Sequence, residues 1–418
     1  MVTRSSPIRG REPRAPTGSV PGVTAISLPH PDRVRVFAIA VAAIAVDTAM
    51  FSAIVPALPV YQQNLGLSDT AVALIFAAFP AAQLLVALFA VRWVDRAGRR
   101  TAIITGAALL ALAGVGLAVA SDPYTLTLAR ALLGGASALT WTGALASVSD
   151  VYPQNQLGFR LGLAEIGGAG VGLTAPLLSG VLIESIGLTG TFLIFAGFPV
   201  LLIAGALLGP ETLDSPPPSP GILRALTDLW QSAGARAGAL ALILLAIVEG
   251  MIEPLLPLDL TERLGLGPAA VGVVVGLGMG AVFLGAPIGG RWSDRVGRRT
   301  PVVAGGIIVV VSLPFLGLGT AWWVTIGLTI TLLGAAIMAA PAGPLFTHAV
   351  DQMGLVGSYG ISAGAMVVVY SVGFVIGPVL GGVLSAFMPF VAVCITVAAI
   401  VAAGLVVIAR LLTRAERE

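Results

Sequence analysis

The 418-residue sequence has one cysteine, two histidines and no lysine, and only 10% of its residues are charged. Each scarcity excludes something. A single cysteine, Cys394, cannot form an intrachain disulfide, and it stands inside an apolar run, so no cysteine-based metal site is available. His30 lies in an N-terminal tail and His348 near a loop, with no second histidine or cysteine beside either, which leaves no credible set for metal or nucleophile chemistry. Neither an enzyme activity nor a cofactor nor a metal is expected. With 57% hydrophobic residues and a mean hydropathy of +1.00, there are too few charges to cover a soluble globule of this length. The 22 basic residues, all arginine, sit in clusters at the ends of apolar runs and the net charge is only +2, so nucleic acid is not an expected partner.

What is present is apolar sequence in membrane-crossing lengths. A hydrocarbon layer of about 30 Å needs roughly 20 helical residues. Twelve runs meet this: 34–61, 70–91, 102–120, 124–148, 158–183, 188–209, 237–259, 268–290, 301–320, 322–345, 358–385 and 388–410. None alternates as a barrel strand does, so each is read as a helix that satisfies its own backbone. The expected fold is an all-α membrane protein of twelve transmembrane helices in two pseudo-symmetric six-helix bundles. Its expected divisions are a tail at 1–32, a first bundle at 33–209, a linker at 210–236, a second bundle at 237–411 and a short tail at 412–418. The first tail, rich in Arg, Pro, Ser and Gly, lacks the apolar core and cleavage site of a signal peptide and reads as disordered. Pro216-Pro217-Pro218 and Pro220 mark the linker, and Ile222 to Ser232 reads as an interfacial helix.

Arginine sets the orientation. The tail, the loops carrying Arg92 to Arg100 and Arg291 to Arg299, and Arg160, Arg224, Arg236, Arg410, Arg414 and Arg417 all fall on one side, with Arg263 opposite. A multi-pass cell-membrane protein with both termini in the cytoplasm follows, and a monomer is expected.

The sequence also repeats itself. Arg92 to Thr101 returns as Arg291 to Thr300, 199 residues later; Pro56-Ala57-Leu58-Pro59 returns as Pro254-Leu255-Leu256-Pro257, 198 later; Ala175 to Leu182 returns as Gly377 to Leu384, 202 later. Three unlike motifs with nearly one offset and one order imply a duplicated bundle whose halves run in parallel, an arrangement found among secondary transporters.

Charges inside the spans carry the functional reading, because a charge in hydrocarbon costs several kcal/mol, on the order of 3, and usually faces a cavity or partner. Asp47 lies about 20 Å into span one, and Glu249 and Glu253 share a face of span seven one turn apart. If spans one and seven face each other across the repeat axis, three carboxylates line one cavity. Such carboxylates can take a proton and release it when an organic cation arrives. Glu165, seven residues into span five, is either a vestibule residue or structural. Arg130 in span four has the apolar Ile330 at its repeat position and needs a carboxylate or helix-end carbonyls; a clamp and a proton-coupling element both fit, with coupling preferred. Pro56, Pro59, Pro254 and Pro257 are expected to free carbonyls beside the carboxylates, and Pro176, Gly377 and Pro378 to mark bent, closely packed helices. Asp95, Arg96, Gly98 and Arg99, repeated as Asp294, Arg295, Gly297 and Arg298, combine a turn glycine, guanidinium groups at headgroup level and a pairing carboxylate, and are read as gating loops between the halves.

At these motifs a resemblance emerges. Gly290-Arg291-Trp292-Ser293-Asp294-Arg295-Val296-Gly297-Arg298-Arg299 resembles the loop signature of the major facilitator superfamily, with Val91 in place of the leading glycine in the first copy. Arg130-Ala131-Leu132-Leu133-Gly134 resembles that superfamily's arginine motif associated with proton coupling. Gly373 to Gly382 resembles its antiporter glycine-proline motif, which is normally diagnostic in span five, where this chain has Ala175-Pro176-Leu177-Leu178-Ser179-Gly180. Within the superfamily, Val46-Asp47-Thr48-Ala49-Met50 with Val55 to Pro59, Ile252-Glu253-Pro254 to Pro257, and Gly180 to Gly187 resemble the vesicular amine transporters and their bacterial multidrug relatives. There the span-one aspartate and the span-seven glutamate meet the substrate amine. Phe79, Ala339 and Val367 stand where the vesicular proteins carry a lysine and two aspartates, so vesicular storage is not implied.

The expectation is a proton-coupled antiporter that exports hydrophobic small molecules, cationic by preference, through alternating access. Its expected partners are a small-molecule substrate, protons and the lipid bilayer. Asp47, Glu253, Glu249 and Arg130 are its expected substrate or coupling residues. The rivals are a proton-coupled transporter of a neutral or anionic metabolite, such as a sugar, with Arg130 as ligand group, and a non-transporting membrane sensor.

Overall fold

The computed structural model describes residues 29–213, 227, 229–352 and 359–415. The expected tail before Pro29, the prolines of the linker and most of the expected interfacial helix lie outside the described residues. So does the side chain of Glu165.

Among the described residues there are helices and no strand. Eleven are long and apolar enough to cross a membrane. One of them, Gln154–Leu207, runs for 54 residues and would measure about 80 Å if straight, far more than a bilayer core. It breaks at Gly187, whose φ of 73° and ψ of 178° are open to glycine and closed to other residues. Spans five and six are the two arms of this element, and the total is twelve crossings.

Span one is His30–Ser52, followed by a 3-10 turn at Val55–Ala57 and a last helix at Leu58–Leu65. Spans two, three and four are Asp69–Ala97, Arg99–Val119 and Pro123–Val151. Span seven is Ala233–Leu264 and span eight Pro268–Val296. Span nine is Arg299–Ser312 with a 3-10 extension at Leu313–Gly317, and span ten is Ala321–Ala339 continued by Ala342–Gln352. Spans eleven and twelve are Tyr359–Ser385 and Phe390–Ala415.

The duplication is visible in the backbone. Gly66 and Gly265 both end a helix with φ near 60°, and Gly98 and Gly297 both turn the chain with φ of 99° and 84°. Each pair is separated by 199 residues. Packing repeats at the same offset: a Cβ on Gly106 would strike the backbone of span four, and one on Gly305 would strike that of span ten. Small residues at these crossings let apolar helices approach until dispersion contacts hold them, since lipid supplies no hydrophobic drive for association.

The prolines behave unequally. Pro56 sits in the 3-10 turn that interrupts span one, and Pro59 falls at the start of the following helix, where a missing N–H costs nothing. Pro254 and Pro257, expected to disturb span seven equally, lie within an uninterrupted helix, as do Pro176 and Pro378 in theirs. Span eleven packs closely on span seven: Gly373 and Gly377 lie directly on its backbone at Ile243 and Ile247, and Gly250 receives the ring of Pro378.

The halves meet through span two with span eleven and span five with span eight. Thr70 Oγ1 donates to the Gly382 carbonyl at 2.6 Å, and the Ala269 amide donates to Glu184 Oε1 at 3.0 Å. Gly180 abuts Pro268, Gly272 abuts Pro176 and Gly276 abuts Leu173. These contacts run from the end remote from the arginine loops toward the middle. Nearer the arginine loops, Gly162, Gly170 and Gly290 face open space. The halves are therefore sealed at the end remote from the arginine loops. A hollow of about 690 Å³ lies outside the seal, between Gln62, Asp69, Thr70 and Leu258, Glu262, Ser385.

Candidate substrate and coupling site

Asp47, Arg130, Glu249 and Glu253 are all buried, at 4%, 0%, 8% and 7% exposure. They form three groups, not one cavity.

Asp47 is held by span four. Its Oδ2 accepts from Ser137 Oγ at 2.8 Å and from Trp141 Nε1 at 2.6 Å, and Gln83 Nε2 donates to Ser137 Oγ at 3.2 Å. Ser137 and Trp141 follow Arg130 at seven and eleven residues, spacing that places all three on one helical face. No acidic side chain sits at the repeat position of Asp47.

Arg130 is caged by rings. Its Cζ lies 4.4 Å from the Phe76 centroid, 5.0 Å from Phe79 and 5.8 Å from Phe51. Nη2 donates to the Phe76 carbonyl at 3.2 Å, while Nε and Nη1 have no partner among the described residues. Gly134, one turn on, makes the cage possible: a Cβ there would run into the Phe79 carbonyl and push span four off span two.

Glu249 and Glu253 line a cavity of about 20 Å³, room for about one water, with Val275 and Met279 of span eight and Leu328 and Leu332 of span ten. Tyr370 of span eleven donates to Glu249 Oε2 at 2.8 Å, and Glu253 Oε2 has no partner among the described residues. Asp47 is not on this cavity, against the expectation of three carboxylates in one chamber. The reason lies in register: with Pro56 matched to Pro254, Glu253 corresponds to Val55, eight residues and about 12 Å beyond Asp47.

Aromatic rings connect the Arg130 cage to the glutamate group. Phe374 stacks on Tyr370 at 5.5 Å and meets Phe51 at 5.8 Å and Phe76 at 6.2 Å, so one cluster spans both halves. Arg130 and Glu253 lie within electrostatic reach of each other.

The first arginine loop is paired within its own half, although it was expected to gate between halves. Arg99 Nη1 meets Asp95 Oδ1 at 2.6 Å and Nε meets Asp150 Oδ2 at 3.0 Å. Glu211, just past span six, accepts from the backbone amides of Arg99, Arg100, Thr212 and Leu213. Arg96 is exposed, and Gly98 makes the turn that brings Glu211 close. In the second loop Asp294, Arg295 and Arg298 are exposed or half-buried around Gly297. The partners Ser137, Trp141, Tyr370 and Glu211 and the phenylalanine cage were not anticipated. The face shared by Arg130, Ser137 and Trp141 was the one signal available.

Twelve apolar crossings in two like halves, with buried charges inside both, define a polytopic membrane transporter. The chain belongs to the Major Facilitator Superfamily, whose profile matches residues 39–245 and again 238–418. It is similar to the Multidrug resistance protein MdtG of Enterobacter lignolyticus, 27% identical over 369 residues covering 84% of this chain and 86% of that protein. The MdtG of Citrobacter koseri is 28% identical over 367 residues, 83% and 88% of the two chains. Among solved structures, a bacterial homologue of the human lysosomal transporter Spinster, inward-facing and unoccupied, superposes with a TM-score of 0.70 at 18% identity over 93% of this chain and 96% of that one. A mutant of the nucleoside transporter NupG gives 0.70 at 14% identity over 91% and 99%. At those identities the two structures speak to the fold alone.

Proposed function

We propose that the chain is a proton-coupled antiporter that exports hydrophobic, cationic small molecules by alternation of two six-helix bundles, 33–209 and 237–411, joined by the linker at 210–236. The observation that carries this reading is the pair Glu249 and Glu253 on a membrane-depth cavity, one of them with a carboxylate oxygen that no described residue satisfies. A buried carboxylate is costly unless neutralised, and a proton and an organic cation are alternative ways of neutralising it. The similarity to MdtG proteins supports export of drug-like compounds. Arginine placement supports cytoplasmic termini, and the sealed end then faces outside.

Asp47 serves as a second acidic station, reached from the cytoplasmic side, and Arg130 couples the halves through Glu253. Protons arriving from outside load the carboxylates and displace the cation. The test is flux in proteoliposomes with an imposed pH gradient, comparing tetraphenylphosphonium with a sugar and a carboxylate. Proton-coupled movement of the cation, lost in Asp47→Asn and Glu253→Gln, is expected. Intact coupled efflux in both variants would refute the assignment. The metabolite reading draws on the two unsatisfied nitrogens of Arg130, which suit an anion or hydroxyl, and preferential flux of the sugar or carboxylate would favour it.

A further inference from the structure

The Arg130 guanidinium is enclosed as a ligand is. Three phenylalanine rings on spans one and two surround a fully buried cation, the nearest 4.4 Å from ring centroid to Cζ. A structural arginine buried in a membrane protein ordinarily spends its five donors on carboxylates or carbonyls. Here Nη2 alone reaches a carbonyl, while Nε and Nη1 have no partner among the described residues. Among those residues no ion pair within 4.0 Å holds the group, although Glu253 of the opposite half lies within electrostatic reach and has its own unsatisfied oxygen. Faces of aromatic rings around a cation, with a carboxylate within electrostatic reach, suit cation recognition, and cation–π attraction strengthens where water is excluded.

We propose that Phe51, Phe76 and Phe79, with Glu253, form a binding site for the head group of an organic cation, a guanidinium or an alkylammonium on an apolar body, and that Arg130 is a tethered occupant of that site. The arriving cation displaces the side chain and takes over the rings and the carboxylate. Glu253 lies on the cavity between spans seven, eight and ten, and Phe374, stacked on Tyr370, meets the cage rings Phe51 and Phe76. The tether keeps the ring cage filled in the empty transporter. This rests on the cation-export reading above, to which it adds the position and chemistry of the head-group site.

The experiment is equilibrium binding of octylguanidinium to the purified full-length protein by titration calorimetry, with octanol as the uncharged control. Arg130→Ala empties the cage, and binding about tenfold or more tighter than wild type is expected, given the usual size of a desolvated cation–π contact. Arg130→Lys keeps a tethered cation and should bind close to wild type. Adding Phe76→Leu or Glu253→Gln to Arg130→Ala should remove the gain. If the alanine variant does not elute as a single species, Arg130→Met, which retains an apolar stem, is expected to show the same gain. A well-folded Arg130→Ala or Arg130→Met protein that binds octylguanidinium no tighter than wild type, or a gain that survives Phe76→Leu, overturns the proposal. Tetraphenylphosphonium flux through the wild type separates the two readings. Flux without a gain on removing Arg130 sinks the cage and leaves antiport standing, while a gain without wild-type flux sinks antiport and leaves a cation cage.

Discussion

Tyr370 donates its phenolic hydrogen to Glu249 at 2.8 Å while its ring stacks on Phe374 at 5.5 Å, so one side chain ties a buried carboxylate of the second half to the ring cluster that reaches the first. Phe374 in turn touches Phe51 and Phe76, which face Arg130. Charge and aromatic packing at the middle of the molecule are thus one structure.

Tyr370→Phe keeps the stacking and deletes the donor. Glu249 then loses the hydrogen bond that holds its carboxylate, and thermal stability should fall by the equivalent of about 1 kcal/mol, the scale measured for hydrogen bonds inside membranes. In a double-mutant cycle with Glu249→Gln the coupling should be of similar size, and a coupling indistinguishable from zero would show that the bond contributes nothing.

At Asp47 two substitutions separate charge from structure. Asn retains an oxygen that can accept from Ser137 and Trp141, so Asp47→Asn should fold normally and lose export. Asp47→Ala leaves two buried donors unpaired and should be destabilised by about 1–3 kcal/mol as well. Drug resistance in cells, read beside melting temperature of the purified protein, distinguishes the two. Full resistance in the Asn variant removes Asp47 from coupling.

Gly134→Ala forces a methyl against the Phe79 carbonyl and should cost about 1–3 kcal/mol while loosening the Arg130 cage. Gly162, which faces open space, is the control: Gly162→Ala should be neutral within about 0.5 kcal/mol. Equal effects at the two positions would contradict the close approach of spans two and four.

Glu211 gathers four backbone amides at the start of span three and the turn after span six. Glu211→Ala should lower stability by about 1–2 kcal/mol and speed trypsin cleavage after Arg99 or Arg100, whereas Glu211→Gln should retain most of the protection. Unchanged proteolysis in the alanine variant counts against the brace.

Asp122 caps span four from outside the membrane segment. The backbone amide and hydroxyl of Thr125, with the amide of Tyr124, hold its carboxyl below the usual carboxylate range. A depressed folded-state value means that its stabilising contribution is present above the ordinary carboxylate pKa and is lost as pH falls through the lower, folded one. Melting temperature followed from neutral to acid pH should therefore decline less steeply in Asp122→Asn than in wild type.

Much of this architecture was legible from residues alone. Hydropathy marks twelve crossings, and two of them emerge as arms of one element because the chain bends at Gly187 with no loop between them. The duplicated Asp-Arg-x-Gly-Arg-Arg loops indicate parallel halves, and Gly98 and Gly297 adopt the same positive-φ turn. Less legible was which charges meet. Asp47, Glu249 and Glu253 look equivalent on a depth scale, yet Asp47 is bound to Ser137 and Trp141 and the glutamates line another cavity. The prolines also divide, Pro56 in a break and Pro254 in continuous helix, although the two motifs read alike.

Composition and spacing by themselves determined that this chain lives in a bilayer, how many times it crosses, and that its two halves descend from one pattern. Those properties follow from local rules: apolar length must match membrane thickness, and each helix must close its own hydrogen bonds. Tertiary structure decided where the charges go. The rotation of each helix and its register against neighbours are set by glycine-mediated contacts between residues far apart in the chain, and a shift of about 12 Å along one axis is enough to send Asp47 and Glu253 to different partners.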